Sequence, residues 1–378
     1  MCELEVSDIE SGHSPTAVQR RHLLRGAGGA LAVTGLLGAG LATPVSAAPI
    51  RSSKRAAAEL VLLGTQGGPP VEPDRMGIAT ALVVDGATYL IDCGRGATTQ
   101  YLRAGLRFDD LKAVFLTHLH ADHVADYYNF FLLAGGLPNS RNDVITTPVP
   151  VYGPGPAGAL PAKFGGGQAP TVDPGNPTPG TYDLTQSCHD AYAYSSNVFL
   201  RDSGIADIRT LVDVHEIRLP DVGADPLTQR APAMRPFPVM EDDRVRVSAV
   251  LVPHGPVFPS FAFRFDTDHG SVTLSGDTTY TGNLETLARG SDLLVHEAVN
   301  VQGATLSPAF RSHLLQSHVE VQKVGAIAQR SDVPRLVLSH IGDQAVRPIN
   351  TARWRRWAQQ GYDGRVHIGN DLDRIPLR

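Results

Sequence analysis

Four potential metal ligands, His118, His120, Asp122 and His123, lie close together in the stretch Thr117-His118-Leu119-His120-Ala121-Asp122-His123. Neutral imidazole and carboxylate suit a borderline divalent ion such as zinc, held at roughly 2.0–2.2 Å, and manganese or iron can occupy similar nitrogen and oxygen sites. An ion held this way can lower the pKa of bound water and offset charge on an attacked ester, which puts hydrolysis among the chemistries open to it. Such a cluster needs a rigid support. Ala113-Val114-Phe115-Leu116 ahead of it is an apolar run of strand type, and residues 124–133 behind it read as a helix. The cluster is therefore expected in a loop between a buried strand and a helix. His118 and His120 alternate as on an extended chain and can face one side. Asp122 and His123 sit where the chain turns and can reach a second point nearby.

Three further ligand-type residues follow apolar strands in the same way. His254 follows Val250-Leu251-Val252, Asp277 follows Val272-Thr273-Leu274 within Ser275-Gly276-Asp277-Thr278, and His340 follows Leu336-Val337-Leu338-Ser339. Loops at strand ends share one rim of a sheet, so these residues can converge on the first cluster.

The chain has 378 residues, 42 % hydrophobic and 19 % charged, with a net charge of −5 at pH 7. This is an ordinary globular composition with length for one large domain or two small ones. Lys54, Lys112, Lys163 and Lys323 are its only lysines. A weakly acidic, lysine-poor chain argues against tight binding to a phosphate backbone, so nucleic acid is not the expected partner. Gln19-Arg20-Arg21-His22-Leu23-Leu24, a Gly- and Ala-rich run over 26–42, and Val45-Ser46-Ala47 read together as a twin-arginine export signal over residues 1–47. The destination would be periplasmic or extracellular. The run is short and glycine-rich for a membrane span, and no later segment is apolar enough for one. Cys2 would leave with the signal. Cys93 and Cys188 remain; a pairing between them is open, and a buried free thiol at Cys93 is the simpler reading.

Strands are expected over 60–63, 78–84 and 87–91, with Asp85-Gly86 as a tight hairpin turn. A helix is expected over 98–104 and a strand over 110–116. Residues 135–243, rich in Gly and Pro, read as an irregular insert and a possible lid, with one helix over 191–201. Strands return over 245–252, 261–265, 271–274, 293–296, 336–338 and 366–368. Helices are expected over 284–289, 319–328 and 353–360.

His-X-His-X-Asp-His resembles the signature of the metallo-β-lactamase fold. Leu63-Gly64-Thr65 with Gly67-Gly68, and Leu90-Ile91-Asp92-Cys93-Gly94, resemble the opening of its ribonuclease Z and arylsulfatase-like branch. The resemblance implies an α/β fold, a four-layer αβ/βα sandwich filling residues 48–378. It implies that His118, His120, His254 and Asp277 hold one divalent ion and that Asp122, His123, Asp277 and His340 hold a second, with Asp277 shared. Two zinc ions are the expected cofactors. Asp122 would take a proton from the attacking water, and His318, opening the helix over 319–328, would serve the leaving group. His296 and Glu297 match a pair that would orient other groups. A homodimer is compatible with the branch.

The pattern also excludes relatives. His120 stands where flavodiiron oxygen reductases carry Glu, and Val252-Pro253-His254-Gly255-Pro256 lacks the Gly-His-Thr-Pro-Gly context of many β-lactamases. Arg95 and Asp126 depart from ribonuclease Z, no tRNA-clamping arm is identifiable, and export would separate the protein from tRNA precursors. The expected activity is an exported dinuclear hydrolase of a small phosphate or sulfate ester, working through a shared hydroxide. The alternatives are a lactone or carboxylic ester hydrolase, a ribonuclease Z-like endoribonuclease that processes tRNA 3′ ends, and a non-catalytic metal-binding scaffold.

Overall fold

The computed structural model describes residues 56–378. The export signal expected over residues 1–47 lies outside the described residues. Six strands open the described chain: β1 (Ala58–Gly64), β2 (Ala79–Val84), β3 (Ala87–Ile91), β4 (Leu111–Phe115), β5 (Val149–Pro154) and β6 (Val212–Ile217). Seven more form the second half: β7 (Phe237–Glu241), β8 (Val245–Leu251), β9 (Phe261–Thr267), β10 (Gly270–Leu274), β11 (Leu293–Asn300), β12 (Arg335–Asp343) and β13 (Arg365–Ile368). The last strand, β14 (Arg374–Pro376), returns to pair with β1. The sheet orders are β14-β1-β2-β3-β4-β5-β6 and β13-β12-β11-β10-β9-β8-β7.

Side-chain alternation explains why the two sheets stack. On β1, Leu60 and Leu62 face a core shared with the second sheet, whereas Val61 and Leu63 face the opposite side. On β9, Phe261, Phe263 and Phe265 enter the same shared core. Period-2 burial on both faces requires cover on both faces. The outer face of the first sheet is covered by α1 (Ala97–Arg103) and by the pair α2 (Ala121–Val124) and α3 (Asn129–Ala134), followed later by α4 (Thr181–Ala191), whereas α5 (Ala193–Asp202) buries none of its residues. The second sheet is covered by α6 (Gly282–Ala288), then, after α7 (Pro308–Ser317), by α8 (Val321–Arg330) and α9 (Thr351–Ala358). The expected αβ/βα sandwich is thus the observed architecture. The β2–β3 turn is the expected one: Asp85 and Gly86 both have positive φ, 46° and 86°, as a two-residue hairpin of matching twist requires. No described helix is long and apolar enough to cross a membrane.

Three expectations need correction. Residues 135–243 are not irregular throughout, since they contain β5, β6, β7, α4 and α5. Pro150 and Pro154 disguised β5 as a turn, although Val149 and Val151 are buried on one face. The longest irregular stretches are the segments 155–180 and 218–236. The helix expected over 124–133 is broken into α2 and α3. The His123 carbonyl accepts a bond from Cys93 N–H at 2.7 Å, and Asp126 N–H donates to the Cys93 carbonyl at 2.8 Å. These tertiary bonds take the place of a continued helical ladder. The helix expected over 319–328 starts at Val321, so His318 does not open it; it sits in the extended link between α7 and α8. Cys93 and Cys188 are both free thiols, Cys93 buried and Cys188 half-buried.

Candidate metal centre

The strands deliver their ligand-type residues to one rim. His118, His120, Asp122 and His123 follow β4, His254 follows β8, Asp277 follows β10, and His340 lies within β12 rather than after it. Two residues at this rim carry backbone strain. Asp92 has φ 57° and His340 has φ 54°, in the left-handed region that L side chains avoid. Gly276 is fixed by a close approach: its φ is 57°, and a Cβ there would stand 2.4 Å from the Phe261 carbonyl oxygen. Any side chain would push the Asp277 loop off β9.

The seven expected ligands come together as two adjoining groups. His118, His120, His254 and Asp277 present ligand atoms within 4.8 Å of one another, as do Asp122, His123 and His340. His254 Nε2 and His120 Nδ1 are 3.1 Å apart, and His340 Nε2 is 3.3 Å from Asp122 Oδ2. Two donors on a tetrahedral ion with ~2.0–2.1 Å bonds stand roughly 3.3 Å apart, so these spacings are those of ligands around an ion. Asp277, a member of the first group, also approaches two residues of the second. Its Oδ2 lies 3.7 Å from His254 Nε2, 4.0 Å from His118 Nε2 and 3.4 Å from His123 Nε2, while its Oδ1 lies 3.2 Å from His340 Nδ1.

Hydrogen bonding fixes which atoms face inward. His254 Nδ1–H donates to the Ser317 carbonyl at 2.9 Å, which leaves the Nε2 lone pair for the centre. His123 Nδ1–H donates to Asp92 Oδ2 at 2.8 Å. Thr117 Oγ1 bridges Asp92 Oδ2 at 2.9 Å and His118 Nδ1 at 3.1 Å. As a result His118 Nε2, His123 Nε2, Asp122 Oδ1 and Asp277 Oδ1 are buried without a hydrogen-bond partner among the described residues. Buried polar atoms left unmatched are costly, and here they converge. The donor set and its orphaned atoms fit divalent ions.

The electrostatics agree. Burial pushes the His118 imidazole well below its usual range, and burial lowers His254 to about 3. Both are therefore neutral and ligand-ready. At His123 burial is outweighed by Asp277 and Asp92, which raise it. A carboxylate field that favours a proton there favours a cation equally. Burial opposes charge on Asp122, but His340 and His123 prevail and hold its carboxyl below the usual carboxylate range.

His318 lies at the edge of the centre, its ring centroid 5.1 Å from that of His254 and 5.8 Å from that of His340. Its Nδ1 is 3.3 Å from Glu297 Oε2, and Glu297 Oε1 accepts the Val319 N–H at 2.7 Å. Glu297 thus ties down the link that carries His318. Burial disfavours the imidazolium, but Glu297 beside it outweighs burial and raises His318 to about 9. With Asp277 and His340, His318 could also complete a third ligand group. His296 does not join the site. It neighbours Glu297 on β11, is fully buried, and bonds the Glu297 carbonyl through Nδ1 at 2.6 Å. Successive strand residues face opposite ways, so the supporting role expected for the pair belongs to Glu297 alone.

Sequence reasoning gave Asp92 no role, although Asp92-Cys93-Gly94 at a strand end was the available signal. The two departures from ribonuclease Z have structural explanations. Arg95 donates to the carbonyls of Glu72 and Arg75 at 3.0 and 2.7 Å, and Asp126 Oδ2 caps α1 by accepting Thr98 N–H at 2.7 Å. Replacing Asp92 with alanine frees the His123 ring, and losing such an orienting partner costs roughly 10–100-fold in metal affinity. Competition against a chelating dye should show that loss; unchanged affinity would remove Asp92 from the centre.

Comparison with known proteins adds the following. Residues 74–132 match the metallo-beta-lactamase superfamily. The chain is 30 % identical to ribonuclease Z of Mycobacterium bovis over 322 residues, 84 % of this chain and 98 % of that one. The human short-form tRNase Z shares the fold at TM-score 0.56 and 20 % identity, covering 85 % of this chain and 99 % of that one. The metallo-beta-lactamase fold protein YhfI of Bacillus subtilis does so at TM-score 0.54 and 17 % identity, over 84 % and 98 %. The expectation that nucleic acid is not the partner is opposed by relatives that carry the name ribonuclease Z.

Proposed function

Because the chain belongs to the metallo-β-lactamase superfamily and is a metal-dependent hydrolase, we propose that it cleaves phosphodiester bonds at a two-metal centre, with small diesters as substrates. The observation that carries this reading is the placement of Asp277, whose one carboxylate lies within 4.0 Å of nitrogens from both ligand groups. His118, His120, His254 and Asp277 would hold one ion; Asp122, His123, His340 and Asp277 would hold the other. Two bound divalent ions, zinc being the best match to this donor set, supply an activated water and neutralise charge on the phosphoryl oxygens. The chain's own residues do the rest. Asp122 Oδ1, buried and unpartnered, accepts the proton of the attacking water. His318, held by Glu297, carries a proton to the leaving oxygen.

Bond class is tested by giving the zinc-loaded protein bis(4-nitrophenyl) phosphate, 4-nitrophenyl sulfate, an aliphatic lactone and an RNA with a 3′ trailer. Diester turnover above that of the sulfate and the lactone is expected. Turnover of sulfate or lactone with none of the diester would contradict the reading. A second reading, an endoribonuclease acting on RNA, is favoured by the relatives named ribonuclease Z. It predicts trailer removal with RNA binding that weakens steeply with salt.

A further inference from the structure

Among the four imidazoles that follow β4 or β8 at the centre, His120 is the exposed one, and the space it opens onto is apolar. A cleft of about 250 Å³ adjoins it. One wall is Leu119 and the end of β5 at Pro154; the second is the irregular segment through Leu160; the third is the loop after His254, through Val257 and Phe258. His120 is the single titratable side chain in the lining, which holds no Lys, Arg, Asp or Glu. Leu160 is 54 % exposed, and a few residues on, the Phe164 ring meets the His313 ring of α7 edge-on at 5.2 Å. The segment that walls the cleft thus reaches the helix leading to His318.

A separate groove flanks the centre beside His318 and carries charge: Glu320, Lys323 and Arg330 line it. The two flanks therefore differ in chemistry. A diester has two arms, one departing and one that stays on the phosphorus; with the departing arm assigned to His318, the retained arm is the one left for the cleft at His120.

Resting on the phosphodiesterase reading, we propose that the cleft bounded by Leu119, Pro154, Leu160, Val257 and Phe258 is a specificity pocket that takes a flat, uncharged apolar group as the retained arm of the diester. Its size suits that occupant, since a dry apolar cavity of about 150 Å³ already accepts benzene. An anionic strand would find no cation in the lining to replace its counterions.

The test compares phenyl 4-nitrophenyl phosphate with methyl 4-nitrophenyl phosphate, which share a leaving group and differ in the retained arm. The kcat/KM ratio, phenyl over methyl, is measured for the zinc-loaded wild type and for Leu160→Asp and Val257→Asp. Burial of one ring corresponds to roughly 10–100-fold, so the ratio should drop by about tenfold or more in both variants. A ratio unchanged in both, or a wild type that prefers the methyl arm, overturns the proposal. If neither diester is turned over, the phosphodiesterase reading fails, and the cleft is read separately by binding of phenylphosphonate against methylphosphonate. Tighter phenyl binding that Leu160→Asp abolishes upholds the pocket; equal binding overturns it. Near-UV circular dichroism of each variant confirms the fold.

Discussion

Asp277→Ala should lose essentially all turnover, by more than the roughly 10²–10³-fold that removal of a single oriented catalytic donor costs. The reason is geometric. The Asp277 carboxylate stands between His118 and His254 on one side and His123 and His340 on the other. Removing it takes negative charge from both groups together. Metal content should fall with activity, from about two ions per chain to one or fewer. Asp277→Asn separates charge from shape: it keeps the volume and one oxygen, so it should retain the fold while still binding the pair of ions poorly. Full activity or an unchanged metal content in Asp277→Ala would show that the carboxylate is not shared.

His318→Ala should lower kcat by about 10²–10⁴-fold on a diester with an alkyl leaving group, with metal content unchanged. The loss should shrink to less than about tenfold when the leaving group is 4-nitrophenolate, which departs without a proton. Glu297→Gln removes the charge that faces Nδ1 at 3.3 Å and should fall between wild type and His318→Ala on the alkyl substrate. The placement of His318 near Asp277 and His340 supplies a competing account in which it is itself a ligand. That account predicts a different pattern, with equal losses on both leaving groups and reduced metal content. Kinetics on the paired substrates, with metal analysis on the same preparations, decides between them.

The ligand set was legible because each member sits next to an apolar strand, and strand ends converge on a rim wherever the sheets lie. That rule made the three residues after Thr117-His118-Leu119-His120-Ala121-Asp122-His123 candidates, the resemblance assigned them as ligands, and the structure brings all seven together. The sandwich itself followed from resemblance; strand periodicity alone left other α/β arrangements open. What could not be read depended on tertiary contacts. The break between α2 and α3 comes from Cys93, about thirty positions earlier, taking the His123 carbonyl. The link that holds His318 is set by Glu297 bonding Val319 across 22 positions. His296 was paired with Glu297 by motif, yet neighbouring positions on β11 face opposite sides. β5 was hidden by Pro150 and Pro154, which read locally as turn residues although the strand lies between β4 and β6. The composition argument against nucleic acid averaged charge over the whole chain, and an average cannot report a local patch.

The central claim is a pair of ions that act together through Asp277. Its most direct test is turnover of bis(4-nitrophenyl) phosphate measured as zinc is added back in steps to chelator-treated protein, with bound zinc counted at each step. The account predicts binding that saturates at about two ions per chain and turnover that rises as the second fills. Full turnover at one ion, undiminished turnover in the presence of chelator, or failure to retain any metal would contradict it.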